Sequence, residues 1–303
     1  MAFTETSLGD IGHLGIDKLF KVESEKYTDY SERIVGTVLK TKQSYYKMKS
    51  LAGFGPAEDF AEGAAAPTDD YQALFVKNFY PERIGKMIEF SDDVAWSDQY
   101  RIIVGLQPAI AKSFMLKQNL IAASLDNLGF TSTVAGMVGG ETLYQSGHSN
   151  NGYPLSNISS TGSNLAFGPL AIEQMKSDMR NQVSARGDIM PYDGAITVKV
   201  PVALDGRAWA IANSERLVGT NNNDKAYARW KIEFETIPYY TSNTAWFARY
   251  SDNEEQGLFM IHFKPYSIEK LSKDERLFNR YVASQKLLAG WRDAHGTWGT
   301  VGA

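Results

Sequence analysis

The chain has 303 residues, enough for about two domains or for one with large excursions. It is 43% hydrophobic and 22% charged, and its net charge of −4 gives no global basic field to draw nucleic acid. With no cysteine it holds no disulfide scaffold and no cysteine-based metal site or nucleophile.

The first residues, MAFTETSLGDIGHLG, lack a basic region followed by an apolar run, so they do not read as a signal peptide. No stretch reaches the ~18 uninterrupted apolar residues of a membrane span. Residues 1–35 read as an extended arm with one short helix, because Leu14, Ile16, Leu19, Phe20 and Val22 are more apolar than a solvated tail needs. From Val38 to Leu51 polar and apolar residues roughly alternate, as in an exposed strand. AGFGPAEDFAEGAAAPTDD then follows, with Gly53, Gly55, Pro56, Gly63 and Pro67 among the acids Glu58, Asp59 and Glu62. A loop of that length is functional or disordered. Tyr71 to Phe90 alternates again, broken by Pro81 and Gly85. The expectation is a two-stranded arm with a glycine-rich tip. Such a ribbon is marginal alone in water and needs a neighbour, for which another copy of the protein is one candidate.

The longest helical rhythm runs from about Asp98 to Gly129. Ile103, Leu106, Ile110, Phe114, Ile121, Leu125 and Leu128 recur at steps of three, four or seven and share one stripe. Ser97 or Asp98 suits the N-cap, and Gly129 suits a left-handed residue past the end. Pro108 removes a hydrogen bond, which predicts a kink or a restart. Residues 130–166 are turn chemistry, rich in Gly, Ser, Thr and Asn. Leu170 to Arg186 reads as a second helix, opened by Gly168-Pro169 and closed by Gly187. ITVKVPVAL is a strand interrupted by Pro201, Ala208 to Glu215 a short helix, and TNNND at 220–224 a surface turn. WKIEFETIPYY, TAWFARY and GLFMIHFKPY read as three strands, and Arg276 onwards as two more around Gly290. This order is α+β without βαβ alternation, which argues against a doubly wound fold.

Familiar catalytic patterns are missing. There is no G-x-x-x-x-G-K-[ST], no G-x-S-x-G and no H-E-x-x-H, and Glu58 stands where a dinucleotide motif starting at Gly53 needs its third glycine. His13, His148, His262 and His295 show no paired metal spacing. His148 reads as a turn residue and His262 as a structural or surface one. The adjacent acids Asp69-Asp70, Asp92-Asp93 and Glu254-Glu255 read as solvated turns. Lys40, Lys42, Lys47 and Lys49 read as edge-strand charges that keep a strand soluble.

Taken in order, several segments resemble the major capsid proteins of tailed phages, which share the Hong Kong 97-type fold with encapsulins; the similarity is greatest to Mu-type head subunits. IEFSDDVAWSD (88–98) matches the acidic step before that family's spine helix, and the long helix stands where the spine helix stands. ETLYQSGHSN (141–150) resembles a Leu-Phe-x-x-x-His segment, with Leu143-Tyr144 and Gly147-His148 in those places. Leu165 to Gly187 resembles the next helix, ITVKVPVALDGRAWAIANSE (196–215) its strand, proline and Ala-rich helix, TAWFARY (244–250) its Trp-containing strand, and GWRDAHGTWGT (290–300) its terminal strand.

The resemblance implies an N-terminal arm (1–35), an extended loop (36–90) that overlaps a neighbour, a peripheral domain (91–184 and 275–303) around a spine helix at 98–128, and an axial domain (185–274). It implies a head protein that self-assembles into pentamers and hexamers of an icosahedral shell around double-stranded DNA, touched weakly and without sequence preference. Portal, scaffold and decoration proteins are the further partners implied, with no membrane, catalytic residue, cofactor or metal. The location implied is the virion capsid, assembled in the host cytoplasm. Leu19, Phe20, Phe54, Phe60, Tyr71 and Phe75 are the candidate inter-subunit contacts. No arm lysine matches a cross-linking motif, so no isopeptide bond is expected; a scaffolding segment at the N-terminus is not matched, which implies a separate scaffold or prior cleavage, and the Met1 start favours the former. An encapsulin-like compartment is the alternative. A soluble metal-dependent enzyme using acids such as Asp92 or Glu141 is a third reading.

Overall fold

The computed structural model describes residues 28–54, 57, 59–62, 65–69, 72–91, 102–133, 136, 138–160, 164–189, 194–213, 231–251, 257–271 and 278–303. The expected caps at Ser97 and Asp98, the 220–224 turn, Asp92, and the candidate contacts Leu19, Phe20 and Tyr71 lie outside them.

Two four-stranded sheets and one long helix carry the architecture. Helix α1 (Ser31–Val35) leads into β1 (Thr37–Lys40), β2 (Tyr46–Ala52), β3 (Gln72–Phe79), β4 (Glu82–Ser91) and α2 (Ile102–Asn127). A small hairpin, β5 (Ser146–His148) and β6 (Leu155–Ser156), precedes α3 (Pro169–Arg180). Then come β7 (Ile196–Pro201), a 3-10 turn, α4 (Asp205–Asn213), β8 (Ile232–Ile237), β9 (Trp246–Tyr250), β10 (Leu258–Leu271), β11 (Phe278–Trp291) and β12 (Thr297–Thr300). The first sheet has the order β1-β10-β11-β4 and the second β12-β9-β7-β8. The mixed α+β class is as expected, although β7 and β8 pair in parallel with α4 between them. That makes one βαβ crossover in the second sheet, which is otherwise antiparallel, and β1 pairs in parallel with β10 in the first; neither makes a doubly wound sheet. The expected division at 274/275 does not coincide with a sheet boundary, since β10 lies in the first sheet and β12 in the second.

Helix α2 spans 26 residues, about 39 Å at 1.5 Å per residue. It is assigned without a restart across Pro108, which sits in its second turn, where only the carbonyl one turn earlier loses its donor. The helix lies on the first sheet. Ile110 and Phe114 pack with Ile268 and Ala283, and further along Ala122, Ala123 and Leu125 join Ile34, Met260, Ala289 and Trp291. Leu128, read as the end of the stripe, lies past the helix and is 51% exposed. Gly129 differs from expectation too. It is not among the positive-φ glycines; a Cβ on it would meet Tyr144 Cδ2 at 2.5 Å, and one on Gly299 would meet Tyr144 Cδ1 at 2.8 Å. The Tyr144 ring is clamped between two backbones, so close approach rather than helix termination selects glycine there.

Helix α3 ends at Arg180, earlier than expected, and Gly187 (φ +88°) turns the chain beyond it. Its face of Ile172, Met175 and Met179 packs on the second sheet with Val198, Trp246 and Trp298. Strand β10 passes through Pro265 with register shifts on either side of Lys264. β1 pairs only as far as His262, so Pro265 lies where that flank of β10 has no strand partner, the place a strand tolerates a proline.

Candidate assembly interface

The arm predicted from the alternating pattern is the antiparallel ribbon β2–β3. Along β2 the alternation is clean: Met48, Ser50 and Ala52 face in, Lys47 and Lys49 face out. The inward face does not wait for another copy. Met48 and Phe79 pack on Phe259, Ile261 and Phe263 of the first sheet, with Phe75 half-buried beside them. Arg292 donates to the Lys49 carbonyl at 2.9 Å, and Lys77 donates to the Gly136 carbonyl. The expectation that the ribbon needs a neighbour is therefore corrected, because its own sheet supplies the apolar floor. Of the 36–90 stretch, β1 and β4 belong to that sheet as well.

What projects is the loop between the two ribbon strands. Its described residues are exposed, with Phe54 at 66% and Phe60 at 59%. Arg186 holds the two ends of this loop together. Its Nε donates to the Gly53 carbonyl at 3.1 Å and its guanidinium lies 3.0 Å from Asp69. Of the described candidates, Phe54 and Phe60 thus sit on one open loop, while Phe75 belongs to the ribbon's packed face. Sequence reasoning did not single out other exposed apolar side chains, among them Leu170, Val202 and Trp209, the last 69% exposed. The signal for Trp209 was its place in an Ala-rich helix whose Ala208 and Ile211 already form one buried face.

Two buried polar nodes fix the body that carries the loop. Asp126, in the last turn of α2, and Lys199, in the middle of β7, are both 0% exposed and 2.6 Å apart. An anion at a helix C-terminus opposes the helix dipole, so it needs compensation. Tyr144 and Tyr240 each donate to Asp126 at 2.6 Å, and Lys199 also reaches the Ile34 carbonyl at 3.3 Å. Burial pushes the Lys199 ammonium down from its ordinary value, with Asp126 opposing that push. Burial and then the Asp126 charge push both tyrosines well above their ordinary value, so they stay donors. This cluster ties α1, α2, the Tyr144 segment and the second sheet together.

The second node corrects the turn reading of His148, which is buried. Asn157 is oriented by donating to the Leu143 carbonyl at 2.6 Å and accepting from the Gln145 N–H at 3.0 Å. His148 Nε2 lies 3.1 Å from that accepting oxygen and Nδ1 lies 3.0 Å from Glu141 Oε2. Both ring nitrogens thus face oxygen acceptors. Burial pushes the Glu141 carboxyl up, but hydrogen bonds from Ser149 and His148 outweigh it and hold it below the ordinary carboxylate range. The cavity beside this node holds about 20 Å³, room for one water molecule. Among the described residues no group of three or more His, Asp or Glu could hold a metal ion.

No protein-family model and no curated protein matches the sequence. Solved structures match it along nearly its whole length. The capsid of a native GTA particle aligns with a TM-score of 0.60 at 11% identity, over 90% of each chain. The mature capsid of bacteriophage PhiM1 aligns at 0.58 with 9% identity, over 91% of this chain and 88% of that one. The holo-SrpI encapsulin complex of Synechococcus elongatus aligns at 0.54 with 7% identity, over 90% and 87%. At such identities the likeness is one of fold, and that fold is the Hong Kong 97-type fold of phage major capsid proteins.

Proposed function

We propose that the protein is the major head subunit of a tailed phage, a structural protein rather than an enzyme, which closes into an icosahedral shell around double-stranded DNA. The observation that carries this is the end-to-end likeness of fold to capsid chains, covering 90% of both partners in the GTA case. An exposed loop on a rigid body supports it, since closed shells reuse the same patches on every copy.

In this reading residues 1–35 reach a neighbour and the 53–70 loop of the extended 36–90 stretch overlaps one. Leu19, Phe20, Phe54, Phe60, Tyr71 and Phe75 are the proposed contacts. The peripheral part centres on α2 and the first sheet, and the axial part on the second sheet, which meets other copies at five- and six-fold positions. The shell is assembled in the host cytoplasm with scaffold, portal and decoration proteins, and it touches DNA only weakly. The net charge of −4 suits DNA that must slide during entry, because a strongly basic lining would hold it through many phosphate contacts. No isopeptide cross-link forms; a ladder of multimers on boiled denaturing gels would overturn that.

Electron microscopy of the expressed protein tests the proposal. Closed megadalton particles are expected, and a compact monomer at assembly concentrations refutes it. Purified particles that hold a protein cargo and no DNA would favour the encapsulin-like reading, to which the SrpI likeness points. Deleting Gly53 to Pro67 is expected to spare subunit folding and to abolish particles. Unchanged particles would remove the overlap role of the loop.

A further inference from the structure

The described chain begins at Thr28, and α2 pins it there. Asn119 donates from Nδ2 to the Thr28 carbonyl at 3.5 Å and accepts the Tyr30 and Ser31 N–H groups at 3.0 Å each. Gln118 donates to Asp29 at 3.1 Å and to the Ser31 hydroxyl at 2.9 Å. Residues 1–27 therefore join the body at one point on this helix. Within them, Leu14, Ile16, Leu19, Phe20 and Val22 make a dense apolar run.

On its other side α2 borders a cleft of about 350 Å³ against the first sheet. Ile121, Leu125 and Leu128 form the helix wall, and Leu143, Leu288 and Trp291 complete the apolar lining. Clefts of roughly 300–1,000 Å³ with mostly apolar walls are of the size that takes an occupant. The charged residues that line it are Lys117 and Glu82; both are exposed, and among the described residues no ion pair engages either. Asn119 and Ile121 lie about 200° apart around the helix, and Leu116 and Leu120, each 44% exposed, lie between them.

We propose that in the free subunit the N-terminal arm crosses its own α2 and seats Leu19 and Phe20 in this cleft. The reach suffices. The path over a helix about 11 Å across is about 20 Å, and the eight residues from Phe20 to Thr28 span up to about 26 Å when extended. The short link also selects the chain's own cleft, because it holds the arm at an effective concentration on the order of 1 mM, far above that of other copies in dilute solution. Leu116 and Leu120 give the crossing arm an apolar track, which its own apolar run covers. Asp17 and Lys21 flank Leu19-Phe20 and find opposite charges in Lys117 and Glu82. In a shell the arm passes to a neighbour, and the cleft is where it lies beforehand; only that transfer rests on the shell reading.

The chain has no cysteine, so an introduced thiol reports on one place. The full-length subunit is kept dilute and cleared of particles by sedimentation, with folding checked by circular dichroism. In Leu128→Cys, the rate at which a maleimide labels the thiol reads whether the cleft is covered. Adding Leu19→Ser and Phe20→Ser is expected to speed that labelling about 10-fold, while the rate at Trp209→Cys, on α4, stays the same. Ser132→Cys, on the same cleft, replaces Leu128→Cys if that variant misfolds. Placement is then read from Phe20→Cys combined with Leu128→Cys. Under oxidation a disulfide within one chain is expected to form at least ~10-fold faster than for Phe20→Cys combined with Trp209→Cys. Equal labelling rates with and without the two arm substitutions overturn the docking. So does a disulfide that forms only between copies, and faster at higher concentration, which puts the arm in another copy's cleft. Neither readout needs a particle, so the shell reading stands or falls separately, on the micrographs.

Discussion

The substitution Lys199→Met probes the most consequential interaction in the body. It removes one member of a fully buried ion pair and leaves Asp126 with two tyrosine donors and no direct ion-pair partner. At 2.6 Å and an effective dielectric constant of ~20, the gross attraction is about 6 kcal/mol. Desolvation of both ions offsets part of this, and the tyrosines still hydrogen-bond the carboxylate. Breaking one side of such a pair costs about 3–5 kcal/mol. Urea denaturation of the unassembled subunit is the assay. With a slope of ~3 kcal/mol per M, the midpoint falls by about 1 M or more. The double variant Lys199→Met with Asp126→Asn removes the stranded charge and keeps an acceptor for a tyrosine, so it recovers a large share of the loss. A single variant within ~1 kcal/mol of wild type would refute the reasoning, because it would mean that the Lys199 partner is not what offsets the burial of Asp126.

The carboxyls of Glu141 and Asp293 are held below their ordinary values, against the upward push of burial, by hydrogen bonds from Ser149 and His148 and from His295 respectively. Their contribution is present above the unfolded carboxylate value of about 4 and is lost as pH falls below it; circular dichroism against pH should show acid unfolding that Glu141→Gln makes insensitive to this group. Tyr144 and Tyr240 titrate well above their ordinary value, so their contribution is lost as pH rises past about 10. Tyrosinate absorbance that rises together with unfolding is the expected sign. Gly129→Ala would drive a methyl group into the Tyr144 ring and the Leu125 carbonyl, costing about 1–3 kcal/mol in the same urea assay. Arg186→Ala should change stability by no more than ~1 kcal/mol, since its ion pair is partly exposed, yet it should speed proteolytic cutting within 53–70.

The elements legible in the sequence were those whose signal is local. The stripe from Ile110 to Leu125 announces α2, and the alternation around Met48 and Lys49 announces the ribbon. Lys199 was not legible. In ITVKVP a lysine between valines reads as a strand wet on one face, but every residue of β7 is buried because Asp126, 73 positions away, meets the ammonium. His148 was missed for the same reason, since its partners Glu141 and Asn157 become neighbours only when the hairpin folds. Gly129 looked like a helix stop because the packing of Tyr144 against it leaves no trace in spacing. The parallel pairing of β7 with β8 depends on a crossover that composition cannot order. The exposure of Phe54 and Phe60 is in keeping with their place in a glycine-rich acidic loop.

Only Tyr80 and Pro81 separate the ribbon from β4, and β4 is zipped to β11 over ten consecutive residue pairs. The ribbon is thus a lever about 25 Å long, clamped to the first sheet along its inward face and through β4, with only the loop beyond it projecting. A load applied at its free end is felt as torsion in the first sheet, so a particle made of such units would change curvature by bending its plates and not by swivelling its joints.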